Sequence, residues 1–147
     1  MVNIKMIRTT ILAAALLGLL TGCSSSPKLQ EAEPRQYPSR ATRTKVLDVQ
    51  VIKHPTEIEF SNTSSRAFGP CTIWLNARYH RDLLGIAVGQ TLSLPLVEFK
   101  DEFGDNFRPG GFWAAEDPES LVLTQIETVN ADGKIELFGL ITVRADE

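Results

Sequence analysis

The chain has 147 residues, 43% hydrophobic and 22% charged, with a formal net charge of −3. That length allows one domain of ordinary size beyond any leader. Residues 46–147 carry eight basic against sixteen acidic residues, a net of −8, which offers no phosphate-binding stripe and argues against a nucleic-acid partner.

Lys5 and Arg8 precede an apolar run from Thr9 to Leu20. As a helix this run would reach about 18 Å, short of a hydrocarbon core about 30 Å thick. The pattern is that of a secretory signal that is removed. It ends in Leu20-Thr21-Gly22-Cys23, and these four residues resemble the lipobox of bacterial lipoproteins. The resemblance implies that residues 1–22 are a signal peptide. It also implies that Cys23 becomes the lipidated first residue of the mature chain, held to a membrane by two or three acyl chains. Each buried methylene contributes about 0.8 kcal/mol, so several chains make a lasting anchor. In that family an aspartate after the cysteine favours retention in the inner membrane. Here the residue is Ser24, which implies the outer membrane. Lipid on Cys23 leaves Cys71 as the remaining thiol, without an intramolecular disulfide partner.

Residues 23–45 read as the lipidated cysteine and a flexible linker. From Ser24 to Lys45 the segment holds five basic and two acidic residues, three prolines and few apolar side chains. Such a composition buries too little surface to offset its ordering entropy, and its positive charge suits an anionic headgroup layer.

From Val46 the texture changes to alternation. Leu47, Val49 and Val51 alternate with Asp48 and Gln50, then Ile58 and Phe60 with Glu57 and Glu59, the period of half-buried strands. Cys71, Ile73 and Leu75 share one face of a third strand, with Thr72, Trp74 and Asn76 on the other. Leu92, Leu94 and Leu96 suggest a fourth, and Pro95 within it marks an edge or a bulge. Val97 to Phe103 is a candidate helical turn. Two β-rich runs, Leu121–Val129 and Lys134–Val143, flank Asp132-Gly133, a strong hairpin signal. Gly139 interrupts the last run and suggests a bulge. The expected fold is mainly β: residues 46–147 as an antiparallel β-sandwich of about seven strands, with a small β-barrel as the alternative. The stretch from Ile58 to Asn76 loosely resembles neighbouring strands of immunoglobulin- and fibronectin-III-like domains.

No residues assemble into a catalytic motif. Cys71 would need His54 or His80 as a base, but its register with Ile73 and Leu75 places it among core side chains. Tyr79-His80-Arg81-Asp82 reads as a strand end and polar loop. The acidic run Asp101 to Asn106 fails the spacing of a calcium loop, and the two histidines lack zinc-ligand spacing. No cofactor or metal is expected. Arg108-Pro109-Gly110-Gly111-Phe112-Trp113 admits two readings. It is either a turn leading two aromatics into the core, or a recognition loop, since Arg and large aromatics are enriched in interface hot spots. Trp74 raises the same question, because its face of the strand should meet solvent or a partner. Arg108, Phe112, Trp113 and Trp74 are therefore the candidate partner-binding residues, and Asn62-Thr63-Ser64 matches a glycosylation sequon. The expectation is a lipid-anchored cell-envelope protein whose domain is a non-enzymatic binding or assembly module, with another envelope protein as candidate partner. The alternatives are a small accessory enzyme and a carrier of calcium or a small ligand.

Overall fold

The computed structural model describes residues 33–144; the expected signal peptide, residues 1–22, and Cys23 and Ser24 lie outside them. Seven strands appear in chain order: β1 (Thr42–Lys53), β2 (Glu57–Ser61), β3 (Cys71–Leu75), β4 (Tyr79–Leu83), β5 (Thr91–Pro95), β6 (Thr124–Val129) and β7 (Ile135–Arg144). They join in one mixed sheet of order β4-β3-β6-β7-β1-β2-β5. All neighbours are antiparallel except β1 and β7, which run side by side in parallel.

The expected immunoglobulin-like sandwich of two facing sheets is thus replaced by a single curled sheet. The physical reason is β1. Its 12 residues are long enough to pair with β7 along one edge and with β2 along the other, for example Val51 with both Thr142 and Phe60. That strand welds into one sheet the halves that a sandwich would keep apart. The curl then brings the two edges towards each other. After β5 the chain passes through a 3-10 turn at Leu96–Glu98 and crosses to the opposite edge. There Lys100 exchanges backbone hydrogen bonds with His80 of β4, at 2.8 and 3.1 Å. Phe99 and Phe107, both fully buried, flank this crossing and close the open side.

The core lies inside the curl. Leu47, Val49 and Val51 point inward from β1 and Ile58 and Phe60 from β2. Cys71, Ile73 and Leu75 do so from β3, Leu94 from β5, Ile126 from β6, and Phe138 and Leu140 from β7. Inward and outward positions alternate, as pleated strands require. The edge position of β5 accounts for Pro95, which has no donor for a further ladder. Gly139 sits opposite Val46, where β1 bulges. A Cβ there would lie 3.1 Å from Val46 Cγ2, so the glycine admits the bulge of its neighbour rather than forming one itself.

Two further expectations are corrected. The linker does not extend to residue 45. Thr42 and Arg43 already pair with Glu136 and Leu137, through backbone groups that side-chain composition does not reveal. Tyr79 to Asp82 is not a polar surface loop but most of strand β4. His80 and Arg81 are buried because the chain crossing at Lys100 covers their edge. Arg81 pairs there with Glu98 at 2.5 Å, and burial lowers its pKa from the usual arginine range while Glu98 opposes that shift. Asn62 is fully buried and ties its own turn together, donating to Arg66 O and Ala87 O and accepting from Ser64. Its amide is occupied in structure, at the site of the sequon.

The odd-numbered strands run one way and the even-numbered the other. The β1–β2 turn, the β3–β4 turn and the long connection from Leu96 to Leu123 therefore gather at one end of the sheet. Among the described residues no helix is long and apolar enough to cross a membrane.

Candidate functional site

Two regions bring the candidate residues together. The first is the outer face of β3, β4 and β6. Strand alternation sends Thr72 and Trp74 outward from β3, while the cross-strand register places His80 and Asp82 beside them on one flank and Gln125 and Glu127 on the other. This face carries one large ring amid polar groups, an arrangement that bare exposure to water would leave mobile. Instead, residues 33–38 cross it as a strap. The Arg35 guanidinium forms an ion pair with both oxygens of Glu127 and reaches Thr72 Oγ1 at 3.4 Å. It also lies 5.4 Å from the centre of the Trp74 ring, in cation–π range. The Tyr37 hydroxyl donates to Gln125 Oε1 at 2.8 Å, and its ring stands edge-on to Trp74 with centroids 5.2 Å apart.

Beneath the strap most of these groups find partners, while His80 Nδ1 is buried without one. Trp74 Nε1 donates to Glu127 Oε2 at 2.7 Å, Thr72 donates to Asp82 at 2.6 Å, and the His80 ring stacks on Trp74 at 4.9 Å. His80 Nε2 lies 2.9 Å from the Glu33 carbonyl oxygen. Trp74 is consequently 0% exposed. Contrary to the expectation that its face meets solvent or a partner, Trp74 is covered by the chain's own Arg35 and Tyr37. Arg35 and Tyr37 are functional-looking residues that sequence reading passed over.

The second region is the loop end. Its foundation is a set of side chains that hold backbone. Asn76 and Ala77 form the β3–β4 turn with φ of 54° at both, the left-handed conformation of a primed turn. The Asn76 side chain donates to Ser120 O at 2.7 Å and accepts from the Val122 and Leu123 N–H groups. The Asp101 carboxylate accepts from the N–H groups of Phe103 and Asp105, both at 2.9 Å, and from Arg78 at 2.7 Å. Burial pushes this carboxyl up, but those donors outweigh it and hold it below the usual range. The oxygen-rich run that invited a calcium reading is thus organised around its own backbone. No cluster of three His, Cys, Asp or Glu residues suited to a metal occurs among the described residues.

Loop 108–119 rises from this base. Its feet are joined by Glu119 N–H donating to Arg108 O at 3.0 Å, and Gly110 N–H donates to Pro55 O at 2.6 Å. The Tyr79 hydroxyl, its pKa pushed up to about 12 by burial and by its bond to Glu119, fixes that carboxylate at 2.7 Å. Gly111 takes a φ of +110°, a turn that a side chain would strain, and its reversal carries the next two rings outward. Phe112 and Trp113 are 91% and 90% exposed and meet edge-to-face at 4.9 Å. Beside them lies an open cleft of about 450 Å³ bounded by Thr56, Pro109 and Ala114. Arg108 faces Glu116 across the loop at 3.4 Å. Of the two readings of this stretch, the rings are outside the core. A larger cleft of about 780 Å³ lies between the strap's exit at Tyr37–Arg40 and the Asp101 turn.

The residues considered for catalysis are kept apart. Cys71 faces the core from β3 while His80 faces the strap from β4, on opposite sides of one sheet. Burial, assisted by nearby Asp82, pushes the Cys71 thiol up to about 11, away from the thiolate that nucleophilic attack requires. His80 and Asp82 share a face, yet the histidine is engaged by Glu33 and Trp74, and the aspartate by Thr72. Compared with known proteins, the chain matches no family model, no curated protein and no solved structure.

Proposed function

We propose that this chain is a lipid-anchored protein of the cell envelope, held through Cys23, whose β domain is a non-enzymatic module for binding or assembly. Arg108, Phe112 and Trp113 form its recognition element, and another envelope protein is its partner. The observation that carries this reading is the pair of rings at 91% and 90% exposure on a loop whose feet are fixed. Two adjacent large aromatics lose apolar burial by standing in water, at roughly 25 cal/mol per Å² of surface. A rigid base limits the entropy lost when such a loop meets a partner. The adjacent Arg108 and Glu116 supply the polar rim that surrounds a hydrophobic anchor in many interfaces. Leu20-Thr21-Gly22-Cys23 supports the anchor, and Ser24 supports the outer membrane as its site.

The test is cross-linking in intact cells with the unmodified chain and its Trp113→Ala variant, followed by identification of what is captured. Loss of a specific protein with Trp113→Ala is the expected result; identical capture by both chains removes the recognition role of the loop. A parallel Cys23→Ala chain should leave the membrane fraction when peripheral contacts are stripped by high salt. Its retention through lipid would remove the anchor assignment.

A further inference from the structure

The strap differs from every strand of the domain in how it is held. It joins no ladder of the sheet. Its attachment consists of Arg35 on Glu127 and Thr72, Tyr37 on Gln125 and Trp74, and the Glu33 carbonyl on His80. The groove beneath it is, by contrast, fully built into the sheet. Glu127 and Gln125 project from β6, Trp74 and Thr72 from β3, and His80 from β4, all held in register by the strand ladders. The groove therefore presents a carboxylate and an indole face for a guanidinium. It also presents an amide oxygen for a hydroxyl two residues further along. Pro34 and Pro38 bracket the segment, and proline restricts both its own φ and the residue before it. The strap thus loses less entropy on docking than an unrestricted hexapeptide would.

We propose that the outer face of β3, β4 and β6 is a binding groove for an extended Arg-x-Tyr segment, filled by the chain's own residues 33–38 and open to the same segment of a second copy. The occupant is a second copy because each copy carries a segment with the demonstrated fit. The charge also favours it: residues 24–41 are net +1 while residues 42–147 are net −6, so one copy's tether is attracted to another's domain. The exchange hinge is the turn at Pro38–Ala41, closed by the Ala41 N–H on Pro38 O at 2.9 Å. Exchange of an identical element keeps every contact and adds none that must be invented. Its cost is the loss of the high local concentration that the covalent link gives a cis strap. This groove is independent of loop 108–119 and stands or falls apart from it.

The experiment is complementation between two full-length chains in detergent. An Arg35→Ala chain has a damaged strap and an intact groove; a Glu127→Gln chain has an intact strap and a damaged groove. Both carry Trp113→Phe, so that Trp74 is the sole indole. Arg35→Ala alone should show red-shifted Trp74 emission. Mixing it with Glu127→Gln should form a one-to-one heterodimer by sedimentation and return the emission towards the blue. The synthetic peptide Glu-Pro-Arg-Gln-Tyr-Pro should do the same at least tenfold more tightly than its Arg-to-Ala analogue. The unmodified chain should take up that peptide at least tenfold more weakly than Arg35→Ala does. Absence of a heterodimer, equal binding of the two peptides, or unshifted emission in Arg35→Ala would each overturn the proposal. So would loss of the sheet signal in Arg35→Ala together with failure of the unmodified chain to bind the peptide.

Discussion

The two tryptophans of this chain sit at the extremes of burial. Trp74, on a central strand, is sealed under residues that precede the domain; Trp113, on a loop, is 90% exposed beside Phe112. Both rings belong to local sequences that leave their surroundings open. What separates them is the covering available to each. The outer face of β3 lies within reach of a strap carrying one cation and one phenol. The loop end is occupied by turns that hold backbone, and its own apolar side chains, Phe103 and Val122 among them, stand exposed and leave the rings uncovered. A buried indole with a paired N–H stabilises; an exposed indole on a braced loop is available for contact.

The sharpest way to break this contrast is to truncate each ring. Trp74→Ala should cost about 3–5 kcal/mol of unfolding free energy, the range for deleting a buried large aromatic. Trp113→Ala should stay within about 0.5 kcal/mol, as surface substitutions do. Chemical denaturation of both variants checks it, and similar losses would erase the distinction. A smaller effect is expected at the base of the loop end. Asp101→Asn should cost about 1–2 kcal/mol near neutral pH, because charge-assisted bonds to Arg78 and two N–H groups weaken. The sign with pH is fixed by the depressed pKa of Asp101. Its stabilisation is present above the ordinary carboxylate pKa of about 3.9 and is lost as pH falls through the lower folded value. The gap between unmodified and Asp101→Asn chains should therefore close on acidification, in denaturant titrations at successive pH values. The emission of Trp74 should be the same in both folded chains. One substitution should be a gain: Ala77→Gly should add about 0.5–1 kcal/mol, read as a raised Tm, since Ala77 holds a φ of 54° that alanine adopts at a cost.

Much of the fold was legible where hydrophobic alternation is strong. The inward positions of β1, β2, β3 and β5 match the alternating Leu, Val, Ile and Phe residues, and Asp132-Gly133 marks the β6–β7 hairpin. The pairing of those strands was not legible. Nothing local in β1 states that it lies parallel to β7, more than eighty residues away in sequence, and this pairing makes one sheet of two. Strand β4 was hidden for a different reason. Tyr79-His80-Arg81-Asp82 is polar on both faces, and its burial depends on Glu98, Lys100 and the strap, none of them neighbours in sequence. At the candidate site, the exposed loop was foreshadowed by Pro-Gly-Gly followed by two aromatics. The strap was not, because Arg35 and Tyr37 stand among charged tether residues with no periodicity, and their partners are 37 to 92 positions away.

The docking of Glu33 against His80 has a geometric consequence for a chain anchored at Cys23. Ten residue steps join the two positions, a contour of at most about 35 Å. If Cys23 carries the proposed lipid, β4 with the strap seated would stand no farther than that from it, and the domain would be a short-leashed body against its membrane. Freeing the strap to the start of β1 would nearly double that leash, so under the proposed anchor Arg35 and Tyr37 would set the radius open to the loop end.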